Sequence, residues 1–494
     1  ATATGAGQWV TGDVATAKIA NTGSISAGAD AYASSVFNNA TATAAAFGAA
    51  QDAVGGRVSH AILSNDGDIS ADATATAHAD YHAYANAYVT GVDQFAFGAD
   101  VATAWLDNTS SITATALANA DTYTYEAIAY ATAIGVFQQA ESYSVGSVDL
   151  TNSDEITSTA TANADATSDG DFAFASVNAG AVSQVVGDLT DVGDASATLS
   201  NTGDISATAK GNASALEVAT GLASAWGVYQ YVDGASAKAD LYNSGSVAVS
   251  AVGTAYVSGT GKGYAHASAD AYGVYQEVYG ENGTLNVTNH GDISASASAD
   301  AHAPDSNNAK GYAKAEATGA YQYSDASVSL IDLYNDGSIA AVADAQDTGS
   351  QSAYAFAYAL GAYQSADDDT GTLTLTNLGD ISATATASAS TNNATGGGLL
   401  AKGSAESTGI YQNANAEVNT ASVDNHGSIA ASALGKADGA YEAYASAEAF
   451  GVLQYGYNDA ATLEVTNDGT IAATAVSYAT SHGETADNVA GGYS

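Results

Sequence analysis

Histidine, aspartate and lysine are the side chains from which this chain could build catalysis or bind a metal. His78 and His82 flank Asp80 at alternate positions. On one strand they would share a face, but residues four apart lie about 13 Å from each other, too far to hold one ion. His290 and His426 each fill the variable second position of a recurring Asn-x-Gly motif and are expected at solvent. The run Asp367-Asp368-Asp369 offers hard oxygen donors, the type that Ca²⁺ takes, and is the weak candidate metal site. Asp68, Asp204, Asp292 and Asp380, with Glu155 equivalent, stand just before the Ile of the same motif. No Gly-Gly-x-Gly-x-Asp nonapeptide occurs, so diffuse counterions are expected rather than a Ca²⁺ β-roll. Arg57 is the only arginine and the eight lysines are scattered, with Lys310 and Lys314 expected in an irregular surface loop that contains Pro304. Nothing in this pattern assembles the acid and base pair of a lyase or the paired carboxylates of a glycosidase. There is no Gly-x-Ser-x-Gly elbow and no cysteine, so no enzymatic activity and no cofactor beyond Ca²⁺ is expected. Outward threonines such as Thr74 and Thr76 could order water as ice-binding solenoids do, but they form no regular array.

What positions these residues is a repeat. Asn65-Asp66-Gly67-Asp68-Ile69-Ser70-Ala71 reads Asn-x-Gly-x-Ile-x-Ala, and the motif or a close relative begins at Asn21, Asn65, Asn108, Asn152, Asn201, Asn243, Asn289, Asn335, Asn377, Asn425 and Asn467. A second marker, Gly-x-x-Gln, ends at Gln8, Gln51, Gln94, Gln138, Gln184, Gln230, Gln276, Gln322, Gln364, Gln412 and Gln454, with Ala181 in place of the Gly before Gln184. Each marker occurs eleven times, in lockstep, with spacings of 42 to 49 residues. Self-similarity at this period is the signature of a repeat architecture. Stacked one unit on the next, the Asn and the Gln amides are each expected to form a hydrogen-bonded ladder. The Gly of the first marker is expected to supply a positive-φ corner. Phe137, Tyr229, Tyr275, Tyr321, Tyr363 and Tyr411, each just before a Gln, are expected to stack as a column.

Between the markers the chain alternates strictly. From Ile69 to Val89 the odd positions are Ile, Ala, Tyr or Val, and the even positions are polar. Period two is the strand signal, and it overrules the helix propensity of alanine, because a helix would spread the polar residues around its whole circumference. A straight strand of that length would measure about 70 Å, so the run must bend at corners. The expected fold is all-β: one elongated parallel β-solenoid of eleven repeats of ~44 residues with an Ala-rich core. Two rungs of about 22 residues per repeat are favoured over one wide rung, giving a rod of roughly 105 Å. The domain is expected to span 1–494 without a break, with half-repeats at 1–20 and 474–494 and no capping repeat.

The formal net charge is -44, from 53 acidic against 9 basic residues, so nucleic acid and anionic lipid are poor partners. No run of 18 apolar residues could span a membrane as a helix. Without a Met at its start, the chain is expected to follow a removed signal peptide. Should a second copy follow Ser494, its Gln8 would fall 48 positions after Gln454, within the internal range. The expected subunit junction therefore comprises Ala1, Thr2, Ala3, Thr4, Gly5 and Gln8 on one side and Gly491, Gly492, Tyr493 and Ser494 on the other.

Asn-x-Gly-x-Ile-x-Ala together with long Ala-x-Ala runs resembles the secreted β-helical passengers of bacterial autotransporters and filamentous-haemagglutinin-like adhesins. That resemblance implies export, a right-handed β-helix and life at the cell surface or beyond it. The expected function is structural: a subunit that polymerises head to tail into an extracellular fibre for matrix, biofilm or cell–cell linkage. The alternative is a monomeric surface adhesin whose partners are glycans or other cell-surface components.

Overall fold

The computed structural model describes every residue except 169–170, 189–192, 260–262, 304–308, 392–399, 458–459, 483–486 and 494. Lys262, Pro304 and Ser494 lie outside the described residues, as does the side chain of Asp368. Among the described residues every regular element is a strand, and the strands pair in parallel in two sheets of seventeen and eleven strands. The second repeat shows the path. Ala40–Asn65 lies in the larger sheet, the chain turns at Asp66 to Asp68, and Ile69–Ala79 returns in the smaller sheet. Every second residue of Ile69–Ala79 is buried, and Ala40–Asn65 keeps the same alternation except where Gly48 and Ala49 are both buried and where Gly56, Arg57 and Val58 are not.

The register corrects the expected rung count. Asn21 pairs directly with Asn65, and Gln8 with Gln51. Residues one full repeat apart are therefore immediate neighbours, and each repeat is a single wide rung rather than two narrow ones. Eleven strands of the smaller sheet, one per level, stack to about 50 Å, half the expected length. A rung this long fits because it folds within its own plane. Ala49, before Gln51, faces the main core between the two sheets, while Ala53, after it, faces a second core. On the way back Ala61 lies in the second core and Leu63 in the main one. The larger-sheet segment thus doubles back on itself and encloses a side lobe. The run from Ile69 to Val89 bends at a corner, as its length requires: Asp80 and Tyr81 separate Ile69–Ala79 from His82–Gly98.

The main core runs from Ile19 to Ala449 and is mostly alanine. Each buried methyl contributes only about 0.8 kcal/mol, so parallel hydrogen bonding between levels must carry much of the cohesion. The two markers meet inside this core. A Cβ on Gly48 would lie 2.7 Å from Cγ2 of Ile69, and Gly91, Gly135, Gly319 and Gly361 face Ile112, Ile156, Ile339 and Ile381 in the same way. The glycine is a notch and the isoleucine is the knob that fills it, which locks the two sheets at one separation.

The glycine of the corner also has a different reason from the one expected. Gly280 is the one described glycine with positive φ, and it is not a corner residue. At Gly67 an added Cβ would overlap the carbonyl oxygen of Gly23 one level away. The corner needs glycine for close approach of backbone to backbone, not for left-handed geometry.

Candidate functional site

The polar features that recur at every level are the two amide columns. Each motif Asn has its Nδ2 directed at Oδ1 of the Asn one level further along the chain, at 2.6–2.8 Å from Asn21 through Asn467. The same nitrogen donates to the carbonyl two residues on, as from Asn289 to Gly291 at 3.0 Å, and to a corner carbonyl of the next level, as from Asn289 to Ser338 at 3.1 Å. Those carbonyls can only accept, so they fix which way each amide faces.

The Gln column runs in the opposite sense. Each Nε2 donates to Oε1 of the previous level, at 2.7–3.4 Å from Gln454 back to Gln8. It also reaches across its own rung to a carbonyl 10–14 residues on, at 2.8–3.2 Å: Lys18 from Gln8, Ile62 from Gln51, Glu464 from Gln454. This places the Gln amides on the boundary between the two cores, bridging the doubled-back halves of the segment. Among the interior levels Asn65 to Asn425 and Gln94 to Gln412 are fully buried.

Beside the Gln column, Tyr229, Tyr275, Tyr321, Tyr363 and Tyr411 stack with centroids 5.4, 4.5, 4.6 and 5.3 Å apart. Phe137 shares their register position, but Ser183 stands between it and Tyr229. Burial pushes the Tyr229 hydroxyl up to about 12. Tyr275 donates to Glu277 at 2.5 Å. At the start of the same face Trp9, Phe47, Asp52, Asp93 and Phe95 line a shallow groove of about 290 Å³. Burial, and then the charge of Asp52, raise Asp93 to about 6.

The titratable residues singled out from the sequence are spread apart. His78 pairs with Asp121 at 3.0 Å and His82 with Glu126 at 3.2 Å, each on the next level. They lie on separate strands either side of the turn at Asp80, so the shared face does not exist. His290 is half-buried and binds Asp336 at 2.6 Å; His426 binds Asp468 at 2.5 Å. Aligning the repeats by their Asn sets His78, His290 and His426 one level from Asp121, Asp336 and Asp468, but leaves Glu126 one position out of step with His82. Asp68 is held below the usual carboxylate range by the hydroxyls of Ser111 and Ser110. Asp367 accepts from Tyr323 at 3.1 Å and from Asn415 at 3.3 Å, and Asp369 is exposed. Among the described residues no three His, Asp or Glu side chains converge as a metal site.

The expected junction residues sit at opposite ends of the stack. Thr2 to Gln8 pair with Ala45 to Gln51, and the Ala1 ammonium donates to the Thr43 carbonyl at 2.7 Å. Gly491, Gly492 and Tyr493 pair with Ser446, Ala447 and Glu448. At the final level the inward side chains lie open. Leu463, Val465 and Ile471 are 42%, 45% and 36% exposed, against 0%, 1% and 1% for their equivalents Leu373, Leu375 and Ile381. At the first level Ile25 and Ala3 are partly buried.

The all-β fold of stacked parallel strands is compatible with the β-helical architecture that the motifs resemble. No family model, no curated protein and no solved structure matches this chain.

Proposed function

We propose that this protein is a structural, extracellular subunit: a right-handed β-solenoid of eleven single-rung repeats that stacks head to tail with further copies of itself into a fibre. The observation that carries this reading is the polarity of the two amide columns. Over the described residues the Asn column runs from the Oδ1 acceptor of Asn21 to the Nδ2 donor of Asn467, and the Gln column from the Nε2 donor of Gln8 to the Oε1 acceptor of Gln454. A last face meeting a first face therefore joins donor to acceptor in both columns at once. Two like faces laid Asn on Asn and Gln on Gln would oppose acceptor to acceptor in one column and donor to donor in the other. The open strand edge and uncovered Leu463, Val465 and Ile471 add a pairing surface and an apolar gain. An interface of unlike faces that does not close on itself makes a filament.

Negative-stain electron microscopy of the purified chain tests this. Unbranched filaments with an axial repeat near 50 Å are expected. Leu463→Asp combined with Val465→Asp, at exposed positions, should leave folded single rods by circular dichroism and abolish filaments. Isolated short rods from the unaltered chain at high concentration would sink the proposal and favour the displayed monomer.

A further inference from the structure

Register places a definite partner opposite every exposed side chain of an end level. The column through Tyr32 runs Thr76, Asn119, Asn163, Asn212, Thr254, Asp300, Gln346, Ser388, Lys436 and Tyr478. It is aromatic at its two ends and nowhere between. Tyr32 is 74% and Tyr478 60% exposed. A second column begins at Lys18 and ends at Glu464, through Ile62, Trp105, Asp149 and Thr198 and on to Ser422. Its two ends carry opposite charge in a chain with only 9 basic residues. A third begins at Trp9 and ends at Tyr455, and it also holds Phe95, Tyr231 and Tyr323 between its ends. Trp9 is 69% exposed.

We infer that two copies meet with zero offset, the last level of one continuing the register of the first level of the next, selected by Lys18 against Glu464 and by Tyr32 against Tyr478; Ala1 and Thr2 leave their strand at the junction, because Gly492 and Tyr493 already fill those places beside Ala447 and Glu448. This rests on the head-to-tail reading and gives it an address. A slip by one residue would turn every apolar residue of the joining strand outward. A slip by two keeps the faces but sets Lys18 and Tyr32 against the wrong columns. The partner is thus a second copy of this chain in one register, and the ionic pair acts mainly by rejecting misplaced encounters. Stacking adds aromatic contact at about the spacing of one strand.

Charge exchange reads the register. Lys18→Glu opposes two carboxylates at every junction, and Glu464→Lys opposes two ammonium groups. Each alone should raise the concentration needed for assembly by at least roughly fivefold, and the double exchange should restore it. Cysteine trapping reads it independently, because the chain has no cysteine. Neighbouring in-register Cα atoms lie within disulfide reach. Tyr32→Cys with Tyr478→Cys should give covalent ladders on mild oxidation; Tyr32→Cys with Val476→Cys, two residues off on the same side of the strand, should give at most about a tenth as much. Filaments that form while the single exchanges assemble normally, or while both cysteine pairs crosslink alike, overturn the register and leave the fibre standing. Single rods from the unaltered chain overturn both.

Discussion

The Asn and Gln columns use the same chemical group and do different work. The Asn amide acts within a few residues of its own backbone: it donates forward to the next Asn and to the carbonyl two positions on. It is a device for one corner, repeated. The Gln amide donates backward and spans its rung, tying Gln276 to the carbonyl of Asn286 and so holding together two halves of a doubled segment. The Asn column stacks corners; the Gln column stacks cross-sections. Reach along the chain, more than hydrogen-bond count, separates their roles.

That contrast can be broken by substitution. The largest effect is expected from Asn289→Asp, which replaces a donor by an anion facing Asn335 Oδ1 and the carbonyls of Gly291 and Ser338. A buried charge without a partner should cost about 4 kcal/mol at pH 7, measured by urea unfolding. Gln276→Ala comes next at about 3 kcal/mol, because it leaves carbonyls unsatisfied and opens a void between two cores. Asn289→Ala should cost less, about 2 kcal/mol, since it disturbs one corner only. Equal costs for the two alanine variants would remove the distinction drawn here.

A smaller, pH-dependent effect is expected at Asp347. It stands in a core column between Ala301 and Ala389, 2% exposed, with Oδ2 accepting from the Tyr354 amide at 2.5 Å. Gly311 provides room for it: a Cβ there would collide with the carboxyl. Burial raises Asp347 to about 8. Its folded pKa exceeds its unfolded one, so its contribution is fully present below about pH 4 and is lost as pH rises toward 8. Asp347→Ala with Gly311→Ala should therefore stabilise the protein at pH 7, by roughly 3 kcal/mol, and make little difference at pH 4. A gain equal at both pH values would show that the carboxyl is not the cause. Here, unlike in the amide columns, a buried polar group breaks the repeat.

The two columns were legible in the sequence because stacking sets like on like, and a residue that recurs at every level leaves a period. The strand class was legible from the alternation Ile69 to Ala79. The number of rungs was misread, although an Asn that hydrogen-bonds the next Asn directly permits only one per level. Halving the repeat would have set some other residue between each pair. What hid this was length: the 26 residues of Tyr264–Asn289 are too long for a flat strand, and no local pattern announces a segment that doubles back within its own level. Gly67 misled for a related reason. Glycine in a turn suggests φ > 0, whereas the cause is a backbone one level away, out of view in a single repeat.

The stacking direction has a mechanical consequence. The strands lie across the stack and their hydrogen bonds run along it, from Gln8 beside Gln51 to Gln412 beside Gln454. Tension along the axis therefore loads all the bonds of one level simultaneously, as in a laminate pulled normal to its sheets. Force applied through a single free strand meets them one after another and peels. The molecule is built to bear stretch and to yield to unzipping.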